Sequence, residues 1–280
     1  MKGYILQNIV SRMMGNCAQI RLPVWLQRIV LNCFIRYYAI DVTEIEQTRS
    51  MFDNLGDFFC RSLKPSCRPI DNAAEVIVAP TDGVLQTWGE LKQGKLMQCK
   101  GLDYRLADLI PSPLHQEFQD GTFLTIYLSP AHCHRVFSPV DGNIIGVCHV
   151  PGRLFPVRQP YINQIDNLFT RNERVITYIR NVNGLVAVVK VGALGVGNIS
   201  VEYDTTLCTN RFEHRIVETF YITQQTIRRG ELLGMFRLGS TVIILFPTNK
   251  VDLIEHKIGA SIKYGTRIAH WRKPVATKEG

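Results

Sequence analysis

Thr122-Phe-Leu-Thr-Ile-Tyr-Leu128 reads as a β-strand, rich in β-branched and aromatic side chains and free of glycine and proline. Working outward, Asn143 to Val150, Val175 to Ile179, Leu185 to Val191 and Thr241 to Phe246 have the same texture. Upstream, Val76-Ile-Val-Ala79 is a short strand ending in the turn Pro80-Thr-Asp-Gly83. Strands and helices do not alternate strictly, so the expected fold class is α+β: a β-rich core with helices gathered at the N-terminus. Gly192, Gly195 and Gly197 punctuate one segment without the strand–GxGxxG–helix arrangement of a dinucleotide site. Neither an internal repeat nor a low-complexity segment is present. The end of the chain, Trp271 to Gly280, is polar and is expected to fray.

The helical expectation rests on Leu22, Trp25, Leu26, Ile29, Val30, Cys33, Phe34 and Tyr37, which recur at helical spacing and form one apolar stripe. Pro23 stands where a helix can begin. Arg12, Arg21, Arg28 and Arg36 are spread through the same region. Such a helix either packs its stripe on the core or lies on an anionic membrane. At 280 residues, 46% of them hydrophobic, the chain can bury a sizeable core. A net charge of +8 favours a polyanionic partner, nucleic acid or anionic lipid, without choosing between them. The eight cysteines form no CxxC pair and no zinc-like spacing, which points to free, mostly buried thiols in a reducing compartment. No run approaches the roughly 18 apolar residues of a spanning helix, so a soluble or peripheral protein is expected.

The chemistry centres on Phe236-Arg-Leu-Gly-Ser-Thr-Val-Ile-Ile-Leu-Phe246. Gly239-Ser240-Thr241 before an apolar strand is, on pattern alone, a turn whose hydroxyls cap a strand entry. Gly-Ser is also suited to backbone self-cleavage: glycine admits close approach to its carbonyl, and serine supplies an oxygen nucleophile once a base takes its proton.

The chain here resembles the phosphatidylserine decarboxylase family, in particular its bacterial membrane-associated branch. The resemblance runs in order through Pro80-Thr-Asp-Gly-Val84, Lys100-Gly101 with Tyr104, Leu128-Ser-Pro-Ala-His-Cys-His-Arg-Val136, Asn167-Leu-Phe-Thr-Arg-Asn-Glu-Arg-Val175, Val191-Gly192-Ala193 and Leu238-Gly239-Ser240-Thr241. It implies that Ser240 attacks the Gly239 carbonyl and that the chain divides into 1–239 and 240–280. Ser240 then becomes a covalent pyruvoyl group. That group would condense with the amine of phosphatidylserine and act as electron sink while carbon dioxide leaves, giving phosphatidylethanolamine. No metal or other cofactor is implied, and a His132-x-His134 metal pair finds no third ligand in register.

By the same resemblance Asp82 is the acid of an Asp–His–Ser relay, where pattern alone reads an Asp-Gly turn. His134 serves proton transfer during decarboxylation, and Arg135 holds the substrate's carboxylate or phosphate, or else a surface ion pair. One departure matters. The family shows His-Arg-x-His, with the second histidine as relay base, and this chain has Phe137 there. Three accounts stay open: His134 does both tasks, His132 substitutes, or processing is slow or absent. If residues 127 to 137 are extended, His132 and His134 share a face and Phe137 points away. Leu102 stands where the family often has histidine.

With the family in view, residues 1–45 are expected to be membrane-docking helices and 46–280 the decarboxylase domain. The expected setting is the cytoplasmic side of a bacterial inner membrane, with a homodimer as the assembly. Two alternatives from other classes are a processing-deficient relative that only binds anionic phospholipid and a nucleic-acid-binding module. The latter lacks any binding motif.

Overall fold

A computed structural model describes Met13, Gly15, 17–48, 51–195, 198–207, Thr209, 215–237 and 240–273, with residue 224 described by its backbone alone. Arg12, Gly197, Cys208, Leu238, Gly239 and the tail 274–280 lie outside the described residues. Helix α1 is Val24–Tyr37, with Pro23 at its N-cap, where the missing N–H costs no hydrogen bond. Helix α2, Leu55–Phe59, is capped by the Asn54 side chain, which accepts the Asp57 N–H at 2.9 Å. Helices α3, Leu106–Leu109, and α4, Leu168–Arg171, are single turns between strands.

The strands follow in chain order. They begin with β1 Val76–Val78, β2 Gly83–Glu90, β3 Lys95–Cys99, β4 Leu102–Arg105, β5 Thr122–Leu128 and β6 Arg135–Phe137. Next come β7 Gly142–Val150, β8 Arg174–Asn181, β9 Gly184–Val191, β10 Ile199–Val201 and β11 Val217–Ile227. The last are β12 Leu232–Phe236, β13 Ser240–Phe246, β14 Val251–Leu253, β15 Ser261–Ile262 and β16 Arg267–Trp271. An antiparallel sheet in the order β11-β7-β8-β9-β13-β5-β2-β15 forms the spine. Its middle strands are the ones expected from sequence. Every residue of β13 is buried, because the apolar run from Val242 to Phe246 can only be satisfied with both faces covered. The sheets β1-β16-β14 and β10-β12-β6 and the β3–β4 hairpin share one core with it.

Two expectations need correction. Pro80-Thr-Asp-Gly83 is a bend as read, yet Gly83 already opens β2. A Cβ there would lie 2.5 Å from the Tyr127 carbonyl oxygen, so the close approach of β2 to β5 requires glycine. Trp271 is not part of a frayed end: it closes β16, pairs with Val251, and meets Phe246 edge-on at 6.4 Å.

The N-terminal helix has two apolar faces. Gln27, Leu31 and Ile35 are buried. Leu31 and Ile35 enter a second cluster with Ile40, Ile45, Phe52, Phe58, Leu63, Cys133 and Tyr264, against which Phe34 and Phe137 pack. The stripe expected from sequence splits: Leu22, Leu26, Val30 and Phe34 flank the buried face, while Trp25, Ile29, Cys33 and Tyr37 face solvent. Trp25 is 66% exposed and Tyr37 82%. The thiols are less buried than expected: of the seven described cysteines, all free, only Cys133 and Cys148 are buried.

Candidate active site

Ser240 is the first residue of β13, paired with Leu128 at the end of β5, and is fully buried. Its Oγ has no hydrogen-bond partner among the described residues. A sealed, unsatisfied hydroxyl is rare enough in folded proteins to need an explanation. Thr241 Oγ1, pointing to the other face of the strand, is also unpaired. Gly239, on the other side of the expected scissile bond, lies outside the described residues.

The chain leaves β5 directly into the histidine segment. Residues 129–134 do not continue the strand, so the condition under which His132 and His134 would share a face is not met. The His132 N–H donates to the Ser129 carbonyl at 3.0 Å, closing a turn, and extended structure resumes only at Arg135. The two histidines therefore have different surroundings. His132 Nδ1 accepts the Ser129 N–H at 2.9 Å and lies 3.0 Å from Ser129 Oγ. An amide N–H only donates, so this Nδ1 is the lone pair and the ring proton sits on Nε2. His134 Nδ1 lies 3.0 Å from the His132 carbonyl. A carbonyl only accepts, so here Nδ1 carries the proton and Nε2 the lone pair. That Nε2 is buried and unpartnered among the described residues. His134 is wholly enclosed, with Phe59 edge-on at 5.1 Å. Burial, aided by the nearby Arg61 charge, pushes its pKa down to about 3, so the ring is neutral near pH 7. Burial also lowers His132.

Asp82 is held apart from both rings by other partners. Arg68 donates Nε to Oδ1 at 2.9 Å and Nη2 to Oδ2 at 2.6 Å, and the Tyr264 N–H donates to Oδ1 at 2.9 Å. Arg68 Nη2 also reaches Glu44 at 2.8 Å, and Lys263 reaches the other Glu44 oxygen at 2.8 Å. The hydrogen bond from Arg68, with help from Lys263, holds Glu44 at a pKa of about 2 against the opposing effect of burial. The Asp82 turn still abuts the histidine segment. The Phe137 N–H donates to the Pro80 carbonyl at 2.7 Å, and Thr81 Oγ1 donates to the Arg135 carbonyl at 3.2 Å. Asp82 and His132 line a common cavity of about 260 Å³ with Glu44, Arg61, Arg68 and Lys263. Phe137 stacks on Tyr264 with centroids 4.1 Å apart, filling space beside Asp82 with aromatic carbon. Arg135 gives its Nε to the Cys60 carbonyl at 2.8 Å.

Sequence reading missed Arg68 and Lys190. Nothing local in Ser-Cys-Arg-Pro marks a partner for Asp82. Lys190 had a signal, a single charge in the run Leu185–Val191. It is wholly buried on β9 opposite Val242, and its Nζ donates to Thr177 Oγ1 at 2.5 Å. Thr177 in turn meets the Tyr203 hydroxyl at 2.5 Å.

The phosphatidylserine decarboxylase family model matches residues 55–270, from α2 to β16, and includes every site residue above except Glu44. Curated relatives named phosphatidylserine decarboxylase proenzyme agree in extent. That of Brevibacillus brevis is 37% identical, covering 88% of this chain and 87% of its own. That of Hamiltonella defensa is 35% identical over 92% of each chain, and that of Salmonella arizonae is 36% identical over 98% of this chain and 85% of its own. Identity at this level over most of the chain, with a family-model match that spans Asp82, His134 and Ser240, makes the chain a member of the phosphatidylserine decarboxylase family.

Proposed function

We propose that this protein decarboxylates phosphatidylserine to phosphatidylethanolamine at a pyruvoyl group made from Ser240 by self-cleavage after Gly239. The observation that carries the reading is Ser240 itself. In a chain of this family it opens a central strand, sealed from water, with a hydroxyl whose conversion breaks no hydrogen bond among the described residues. Position 240 thus fits the group. When formed, it would take the substrate's amine and accept the electrons released as carbon dioxide departs.

The chain's own residues supply the rest. His134, neutral and with Nε2 unpartnered among the described residues, can hold a proton and return it to the carbon that has lost carbon dioxide. Phe59 and the surrounding core exclude water from that ring. Arg135 is the candidate for the substrate's anionic groups. Its Nε is tied to Cys60, which fixes the direction of its guanidinium. The exposed Trp25, Ile29 and Tyr37 face of α1, beside Arg21, Arg28 and Arg36, suits an anionic bilayer from which the lipid is drawn.

The denatured mass of the purified protein tests the reading. The expected result is two fragments dividing after Gly239, the smaller lacking an amino terminus and reacting with a carbonyl reagent. Ser240→Ala should stay whole. Carbon dioxide release from phosphatidylserine vesicles should follow the split form. A wild-type chain intact at 31.8 kDa would overturn the proposal.

A further inference from the structure

A cavity of about 700 Å³ opens at the end of the main sheet opposite Ser240. The strand register places it there. Its walls include Gly142 and Arg180, which pair where β7 begins and β8 ends, and residues 181–183 of the turn into β9. Ser240 lies at the other end, where β5 and β9 finish. The length of β13, Ser240 to Phe246, puts about 20 Å between the two ends. The chemistry assigned to Ser240, His134 and Arg135 uses none of the residues that line this cavity.

Three guanidinium groups line it, those of Arg180, Arg228 and Arg229, against one carboxylate, Asp141. Arg229 is fixed in place. Its side chain is 6% exposed, Nη1 donates to the Ala73 and Val76 carbonyls, and Nη2 reaches Asp141 Oδ2 at 3.3 Å. The Arg229 backbone N–H takes the other Asp141 oxygen at 2.9 Å, so that carboxylate is committed to one arginine. Arg229 Nε is buried without a partner among the described residues, which leaves one donor of the group unmatched. Arg228 is exposed. Its backbone N–H donates to Glu231 at 2.9 Å, while its guanidinium has no partner among the described residues. Arg180 pairs with Glu117 at 2.6 Å, with side chains 42% and 38% exposed. A pair so open to water is weak and screened by salt, so Arg180 is free to turn toward another anion.

Beside these charges stand Val140, Ile145, Ile227 and Trp271, with Val182 fully exposed at the turn between β8 and β9. Cation and hydrocarbon are offered together. We infer that this cavity binds an amphiphilic oxyanion, a phosphate ester carrying a hydrocarbon chain. Arg228 and Arg180 hold the head beside the fixed charge of Arg229, and the chain lies along Ile145, Val182 and Trp271. Guanidinium groups suit phosphate because they give its oxygens paired, charge-assisted hydrogen bonds. Three cations against one carboxylate match a phosphate monoester, which carries close to two negative charges, better than a carboxylate. Free phosphate would leave the apolar wall in water, and a neutral hydrocarbon would leave the cations unmatched. The site stands apart from the self-processing reading and does not depend on it.

The test titrates hexyl phosphate and inorganic phosphate into the full-length protein by calorimetry at one low salt concentration. One saturable hexyl phosphate per chain is expected. Its affinity should exceed that of inorganic phosphate by about 10-fold or more, as burial of two methylenes provides. Arg180→Gln with Arg228→Gln, folded by its thermal transition, should weaken it by roughly 10-fold or more through loss of charge-assisted hydrogen bonds. Ser240→Ala should bind as the wild type does. No saturable binding, equal affinity for the two phosphates, or full affinity in the folded double variant would overturn the assignment. So would loss of binding in Ser240→Ala, which would place the ligand at the other end of the sheet. If the double variant does not fold, Val182→Glu at the exposed turn decides: weaker hexyl phosphate binding keeps the site, and unchanged binding ends it. Phosphatidic acid vesicles then distinguish the source of the head group. Displacement of bound hexyl phosphate assigns the site to a membrane lipid, and no displacement assigns it to a soluble phosphate ester.

Discussion

Arg68 joins two carboxylates, Asp82 and Glu44, through a guanidinium almost sealed from water. Replacing it by methionine leaves Asp82 buried without its cation, a change that costs roughly 3–5 kcal/mol in comparable pairs. A fall of that size in the denaturant-derived stability of Arg68→Met is expected, and Asp82→Asn in the Arg68→Met background should recover part of it. Glu44 adds a pH signature. Its folded pKa, about 2, lies below the ordinary 4.5, so its contribution is present above the latter and is lost as pH falls through the former. Lys190 behaves differently. Burial pushes its folded pKa down to about 7 from 10.5, so between those values the unfolded chain binds a proton that the folded chain does not. Wild-type stability should rise with pH across that window relative to Lys190→Met. A difference between their thermal midpoints that stays constant across the window would contradict a neutral buried lysine. These residues also show the reach of sequence reading. Ser240, Asp82 and His134 sit in short motifs whose chemistry is local and were visible as candidates. Arg68 acts on a residue 14 positions away, and the histidine tautomers depend on which backbone groups the 129–134 turn presents.

Helix α1 turns sequence periodicity into two surfaces, one packed and one open. Its packed face reaches the cluster containing Cys133, Tyr264 and Phe137, so deleting the helix would disturb the site's support as well as any membrane contact. The sharper experiment changes only the open face. Trp25→Glu with Ile29→Glu should leave the thermal transition within about 0.5 kcal/mol of wild type, as is usual for exposed positions. It should also strongly reduce sedimentation with anionic vesicles. Unchanged sedimentation would remove this face from the membrane reading. The stripe was legible because helical spacing is. Which side of it faced solvent was not, since Gln27 is buried and Trp25 is not, against their polarity. Strands divide similarly. β5, β9 and β13 are covered on both sides and read as apolar runs. β11 is a sheet edge with Phe220 and Ile222 exposed among polar residues, and β6 is three residues long, too short to show a period.

At the scale of the whole molecule, the expected cut falls where its products cannot part. Residues 240–273 supply β13, which lies between β9 and β5 in the middle of the main sheet. They also supply β14, β15 and β16, and β16 pairs with β1 of the larger fragment. Val242, Ile243, Ile244, Leu245 and Phe246 are all fully buried. At roughly 1.5–3 kcal/mol for each such side chain, removing β13 alone would forfeit about 10 kcal/mol, comparable to the stability of a whole domain. Cleavage should therefore change the covalent mass without changing the particle. Native mass and sedimentation should match those of Ser240→Ala, and fragment 240–280 should separate only once denaturant has unfolded the sheet. Release of that fragment from the folded protein under native conditions would mean that β13 is not held as the register of β5, β13 and β9 requires. Retention also serves the chemistry, because only an intact sheet keeps residue 240 beside the turn that carries His134.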